Sequence, residues 1–176
     1  MENINVSDTP KMPDIKFAIG QKVVYSSHGV GEIKDIETIQ YGGVYSSFYV
    51  VEFIQQRMSL KVPVNKAGEK GLRAMSNPQE LTEVWEILKG KASTPLYRGK
   101  TTKFIDYKQK LNSGSITDLA ELVRDLHKAN FASSSYSQKN IYESALKRLA
   151  DELALLQKVQ TIQVLSDLKD LLTTVV

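Results

Sequence analysis

The stretch "GQKVVYSSHGVGEI", residues 20–33, decides the fold. A β-branched run breaks at Ser26-Ser27-His28-Gly29 and resumes around two glycines one residue apart. A phosphate-cradling loop, a histidine site and a plain β-turn would each leave such a trace. A phosphate loop needs a helix N-terminus directly behind it, so that amides and dipole face the anion. Here "EIKDIETI" follows and continues as strand. His28 has one distant companion, His127, and no carboxylate cluster near it, so metal ligation finds no support. The turn remains. Gly29 relieves the backbone at the corner, and Gly31 lets a neighbouring strand or a partner approach closely.

Working outward, "KVVY", "VGEIKDIETI", "VYSSFYVVEF" and "MSLKVPV" are rich in Val, Ile, Tyr and Phe, and the turn-like "SSHG", "QYGG" and "IQQR" separate them. Short strands with tight connections predict a small curled antiparallel sheet or barrel. Gly42-Gly43 suits a hairpin. After Met75 the period becomes helical. In "NPQELTEVWEILKG", Asn77 caps, Pro78 takes the first helical position, Glu80 completes a capping box, and Gly90 ends the helix. Further helices are predicted over about 100–112, from the "SITD" capping box at 115–118, over about 138–157 and over about 161–173. The expectation is an α+β chain of two domains: a tail over 1–15, a β domain over 16–75 and an all-α helical domain over 76–176.

The 176 residues include no cysteine, which excludes disulfides and thiolate metal sites. No apolar run reaches the roughly 20 residues of a membrane span, and the polar start "MENINVSDTPKMPD" is no signal peptide. A cytoplasmic protein is expected. Net charge is +3, yet residues 91–148 carry eleven basic and five acidic side chains, an excess of +6 where a polyanion could be met. "YRGKTT", residues 97–102, copies the end of a phosphate-binding loop, but Thr94 stands where its first glycine is required. No nucleophile–base constellation or paired acid site is visible. The chain is therefore read as a non-enzyme without metal, cofactor or small-molecule substrate.

These residues resemble the CarD family of bacterial transcription regulators. The likeness runs from "GQKVVYSSHGVGEI" through "LKVPV", "LTEVWEILKG", "KLNSG" and "LAELVRDLHK" into "SALKRLADELAL", about residues 16–158. The N-terminal module is also similar to the polymerase-binding module of transcription-repair coupling factor. The resemblance implies a Tudor- or SH3-like small β-barrel that binds the RNA polymerase β subunit. It further implies a helical domain that binds promoter DNA near the upstream edge of the melted bubble and stabilises the open complex.

Carried over by motif, Lys61 with Val62 and Pro63 in "LKVP" matches the polymerase contact, and Ile39 stands where the family has a second basic contact. Family members place a tryptophan wedge about ten residues before the "K-x-x-SG" helix stop. Counting back from Lys110 reaches Lys100, while the one tryptophan, Trp85, lies in the apolar stripe of the first helix. Tyr97 is the better aromatic substitute, since Phe104 belongs to an inward stripe. Arg98, Lys100, Lys103, Lys108 and Lys110 form a basic cluster, and Arg124 and Lys139 match basic positions of the family's DNA-facing surface. The DNA contact is expected from Tyr97, Arg98, Lys100, Lys103, Arg124 and Lys139, with little sequence preference. The rival reading is a protein–protein adaptor whose helical bundle binds another protein.

Overall fold

The computed structural model describes residues 15–41, 43–91, 100–128 and 135–174. Five strands come first: β1 (Lys22–Tyr25), β2 (Gly29–Tyr41), β3 (Val44–Phe53), β4 (Met58–Pro63) and β5 (Leu72–Ala74). Among the described residues five helices follow: α1 (Pro78–Lys89), α2 (Lys100–Asn112), α3 (Ile116–Lys128), α4 (Tyr136–Gln157) and α5 (Thr161–Thr174). The strands form one antiparallel sheet in the order β4-β3-β2-β1-β5, which leaves β4 and β5 at its edges.

Alternation along the strands builds the first core. Val23, Ile33, Tyr49, Val51, Phe53, Val62, Val64, Ala67 and Leu72 pack together on the inner face. A bulge between Ile33 and Asp35 bends β2, and such a kink helps a short sheet curl over its own side chains. Gly31 is required by close approach. A Cβ there would lie 2.8 Å from Val51 Cγ1 and 2.9 Å from the Phe53 ring. The corner before it turns at Gly29, with φ of 79°.

The second core is helical. α3, with Leu119, Ala120, Leu122, Val123 and Leu126 buried, packs on α1 and α4, and α4 in turn packs on α5, so that Leu88, Leu149 and Leu168 join one core. Trp85, Phe104, Tyr107 and Leu111 pack against this core. Asn77 and Glu80 form the expected reciprocal cap of α1. α4 starts two residues earlier than its apolar stripe indicates, because Ser135 and Gln138 make a second capping box.

The two domains meet along one turn of α4. Glu152 is 1% exposed, and its carboxylate accepts from both terminal nitrogens of Arg73 on β5 (2.8 Å each), from Ser76 N (3.1 Å) and from Ser76 Oγ (2.7 Å). Arg73 Nε also donates to Gly114 O at the α2–α3 corner. Arg148, one turn earlier, donates to Ser26 O (2.7 Å), Ser27 O (2.7 Å) and Leu111 O (2.9 Å). Gln55 adds a bond to Asp151 Oδ1 at 2.8 Å. Removing one member of such a buried set strands the other and typically costs about 3–5 kcal/mol. Glu152→Ala is therefore expected to lower the unfolding free energy by that amount, read from urea denaturation.

His28 lies in the same corner, its ring 5.6 Å from that of Tyr25 and 5.3 Å from that of Phe53. Burial first, and Arg148 second, hold its imidazole below the ordinary value of 6.5. The unfolded chain then takes up this proton first as pH falls, so stability is full above about pH 6.5 and declines below it. His28→Asn is expected to lose less stability than the parent between pH 7.5 and 5.5, measured as the shift in urea midpoint.

Candidate functional site

The outer face of the β domain carries Lys61 and Ile39 of the residues matched to a polymerase contact, whereas Val62, expected in that contact, is turned into the core by the strand alternation and offers no side chain to a partner. In β4, side chains alternate: Val62 is 2% exposed and packs in the core, while Lys61 points outward. Lys61 pairs in register with Val50, and Ile39 with Ser46, which puts both on the face opposite Tyr49 and Val62. Lys61 Nζ reaches across β3 to Glu37 Oε2 at 2.6 Å, and Ile39 lies one pleat beyond Glu37, exposed. Lys61, Glu37 and Ile39 thus form an outward row, a cation followed by an apolar group. Pro63 is half-buried opposite Phe48 and ends the strand. Strand β4 is an edge of the sheet, which presents unpaired backbone groups to a partner strand.

The residues matched to a DNA contact are spread over three helices and one stretch outside the described residues. Tyr97 and Arg98 lie in that stretch; Lys100 and Lys103 fall in the first turn of α2. Farther along α2, Lys108 Nζ sits 4.8 Å from the centre of the Phe104 ring. Lys110 pairs with Glu121 of α3. Lys139 lies in the first turns of α4, half-buried.

Arg124 differs from a surface phosphate contact. It is 7% exposed; its guanidinium donates to Asp125 Oδ1 at 2.9 and 2.8 Å through Nε and Nη2, and to Ile87 O at 3.3 Å through Nη1. Ile87 O lies in the last turn of α1, where it also accepts from Gly90 N at 3.1 Å, so Arg124 adds a charged donor from α3 at the C-terminus of α1 and complements its dipole. This bond ties α3 to the end of α1 beside their apolar contact. Arg124→Ala is expected to destabilise the chain by about 1.5–3 kcal/mol, the range for hydrogen bonds to charged groups, and a shift in thermal midpoint would register it.

The residues that single-sequence reasoning passed over are Arg73, Ser76, Arg148 and Glu152. Their spacing of 76 to 122 residues leaves no local signal. Gly114 carried a weak one. It sits in the "SG" stop of α2, and its carbonyl receives Arg73.

Comparison with known proteins accords with this arrangement. Residues 17–76 match the model of the CarD-like/TRCF RID domain, and residues 83–169 that of the CarD C-terminal domain. The chain is also similar to a Bacillus subtilis (strain 168) protein named "Putative transcription factor YdeB", at 25% identity over 158 residues. That alignment covers 85% of this chain and 98% of the relative. With a five-stranded β domain, a helical domain behind it and both family models in order, the chain belongs to the CarD family of transcription regulators.

Proposed function

We propose that the chain binds the RNA polymerase β subunit through β4 and the outward row Lys61–Glu37–Ile39, and promoter DNA through its helical domain, so stabilising the open complex. The observation that carries this reading is the combination of an open sheet edge with Lys61 upon it, in a module whose model is shared with the coupling factor's polymerase-interacting domain. Backbone pairing along the edge supplies affinity, while Lys61 and Ile39 select the partner. With Ile39 in place of a second cation, part of this contact is apolar, and its salt dependence is correspondingly shallow.

On the DNA side, Lys100, Lys103 and Lys139, together with Tyr97 and Arg98, release counterions from phosphates and give affinity without sequence preference. Arg124 serves there as a positioning residue, holding α3 against α1. Tyr97 takes the place of an indole wedge. Attachment to polymerase raises the local concentration of the helical domain at the duplex, so a weak DNA contact suffices.

One observation favours the adaptor as a second reading: Lys110 and Arg124 are engaged by Glu121 and Asp125, which narrows the basic surface offered to phosphates. Both readings meet in one experiment, a titration of labelled promoter duplex with polymerase holoenzyme and this chain across a salt series. Lys61→Glu is expected to weaken polymerase capture about tenfold or more. The double variant Lys100→Glu with Lys103→Glu is expected to keep polymerase capture and reduce the log–log salt slope by about two units. An unchanged slope would assign the helical domain to a protein partner.

A further inference from the structure

Three of the helices are ordered by their mutual ties. α3 runs against α4: near the end of α3, His127 Nδ1 lies 3.1 Å from Tyr142 Oη, and near its start Leu119 lines the same small depression as Arg148 and Glu152. α2 turns back into α3 through residues 113–115, with Lys110 paired to Glu121. α2 and α4 therefore point the same way, and Arg148 fastens them together by donating to Leu111 O at 2.9 Å. Lys100 lies eleven residues before Leu111, and Tyr136 twelve before Arg148. At about 1.5 Å per residue, both helices begin roughly 16–18 Å from that bond, at one end of the bundle.

At that end stands a side chain outside both cores. Tyr136 occupies the first position of α4, directly after the cap Ser135, and is 79% exposed. Among the described residues of the helical domain it is the exposed aromatic; Trp85, Phe104, Tyr107 and Tyr142 all pack inward. Its exposed neighbours Ser135, Ser137 and Asn140 are polar, so the ring is not part of an apolar patch along α4 of the kind a protein partner buries. Lys139 lies on the same face three residues on, and Lys100 and Lys103 begin the parallel helix. Neither helix has an acidic residue in its first turn to repel a phosphate.

Lysine contacts alone do not favour melted DNA. A protein shifts an equilibrium only by its differential affinity for the two states, and phosphates are present in both. The paired duplex, with its higher charge density, even releases more counterions per contact than a single strand. A domain that stabilises the open complex needs a group that gains a contact only when bases come apart. A stacked duplex shows a tyrosine its grooves and sugar–phosphate edges, whereas an unpaired base shows it a π-face. On the DNA reading of the helical domain given above, we propose that the Tyr136 ring stacks on an unpaired base of the melted strand, beside the duplex phosphates held by Lys100, Lys103 and Lys139. It adds to the groove contact given to Tyr97. Stacking of this kind is tolerant of base identity, in keeping with a contact of little sequence preference.

The test uses the full chain at low salt, where phosphate contacts are tightest, and two labelled DNAs. One is a paired duplex; the other is the same duplex opening into a short unpaired fork that carries 2-aminopurine. The parent is expected to bind the fork more tightly than the duplex and to quench the 2-aminopurine. Tyr136→Ala, which leaves the Ser135–Gln138 cap in place, is expected to bind the fork about tenfold more weakly than the parent and to lose the quenching, with duplex affinity unchanged. Tyr136→Phe is expected to keep both. Equal fork affinity of Tyr136→Ala and the parent overturns the proposal, as does a loss shared equally by fork and duplex, which would make Tyr136 a duplex contact. The double variant Lys100→Glu with Lys103→Glu separates that outcome from failure of the DNA reading itself. Where its salt slope is reduced, the DNA reading stands and the role of Tyr136 alone falls. An unchanged slope, or no binding of either DNA by the parent, overturns both.

Discussion

A carboxylate taken out of water has to be met by donors, and Glu152 is met by four from the β domain's end. That requirement fixes how the two halves of the chain sit. α4 runs through the helical core on one side with Leu149 and Leu153, and turns Arg148, Asp151 and Glu152 toward the sheet on the other. Arg148 takes up carbonyls of Ser26 and Ser27 that a tight turn leaves free. The segment that poses the first question of the sequence, "SSHG", is therefore both a hairpin turn and the socket for the second domain. Buried ionic sets of this kind contribute little net stability against an apolar alternative, but they are intolerant of misalignment. Here that intolerance serves orientation. Two domains joined this way sit at a set angle rather than as beads on a tether.

Within the β domain, one alternation divides labour. Val62 is buried beside Tyr49, while its neighbour Lys61 is offered to solvent and to Glu37. A register slip by one residue would invert both. The Gly31 approach to Val51 and Phe53, together with the Ile33/Asp35 bulge, pins the register of β2 on β3, the strand against which β4 pairs. The core thus guarantees which side chains the edge strand displays, and the open edge of β4 is the feature a partner strand can use.

Much of this was legible in the sequence. The shift from strand to helix period near Met75, the turn at Gly29, the crowding at Gly31 and the Asn77–Glu80 cap are local patterns, and local patterns are what a chain displays in one dimension. The start of α4 was misplaced because Ser135 sits in a serine-rich stretch that looks like linker, and its cap with Gln138 lies ahead of the first apolar residue. The clamp was not legible at all. Arg73 and Glu152 lie 79 residues apart, and nothing in composition separates a buried arginine from a surface one. Arg124 shows the same limit. Its place in a basic motif suggests phosphate, whereas its place in space is the C-terminus of α1.

That limit bears on how formal charge becomes a binding surface. The segment 91–148 has an excess of +6, yet Lys110 is turned to Glu121, Arg124 to Asp125 and Arg148 to backbone carbonyls of the sheet. Each ion pair removes one charge of either sign from the surface and leaves the segment's net charge unchanged. Arg148 keeps its charge but spends its hydrogen bonds internally. The positive field of the helical domain persists at a distance, where only the sum counts, while fewer side chains remain to meet individual phosphates. If the helical domain meets DNA as proposed, long-range attraction with few close contacts gives a weak affinity that depends on a second anchor. On the proposed function, such dependence would confine DNA engagement to places where polymerase is already bound, and the joint built on Glu152 would decide which part of the duplex the helical domain then meets.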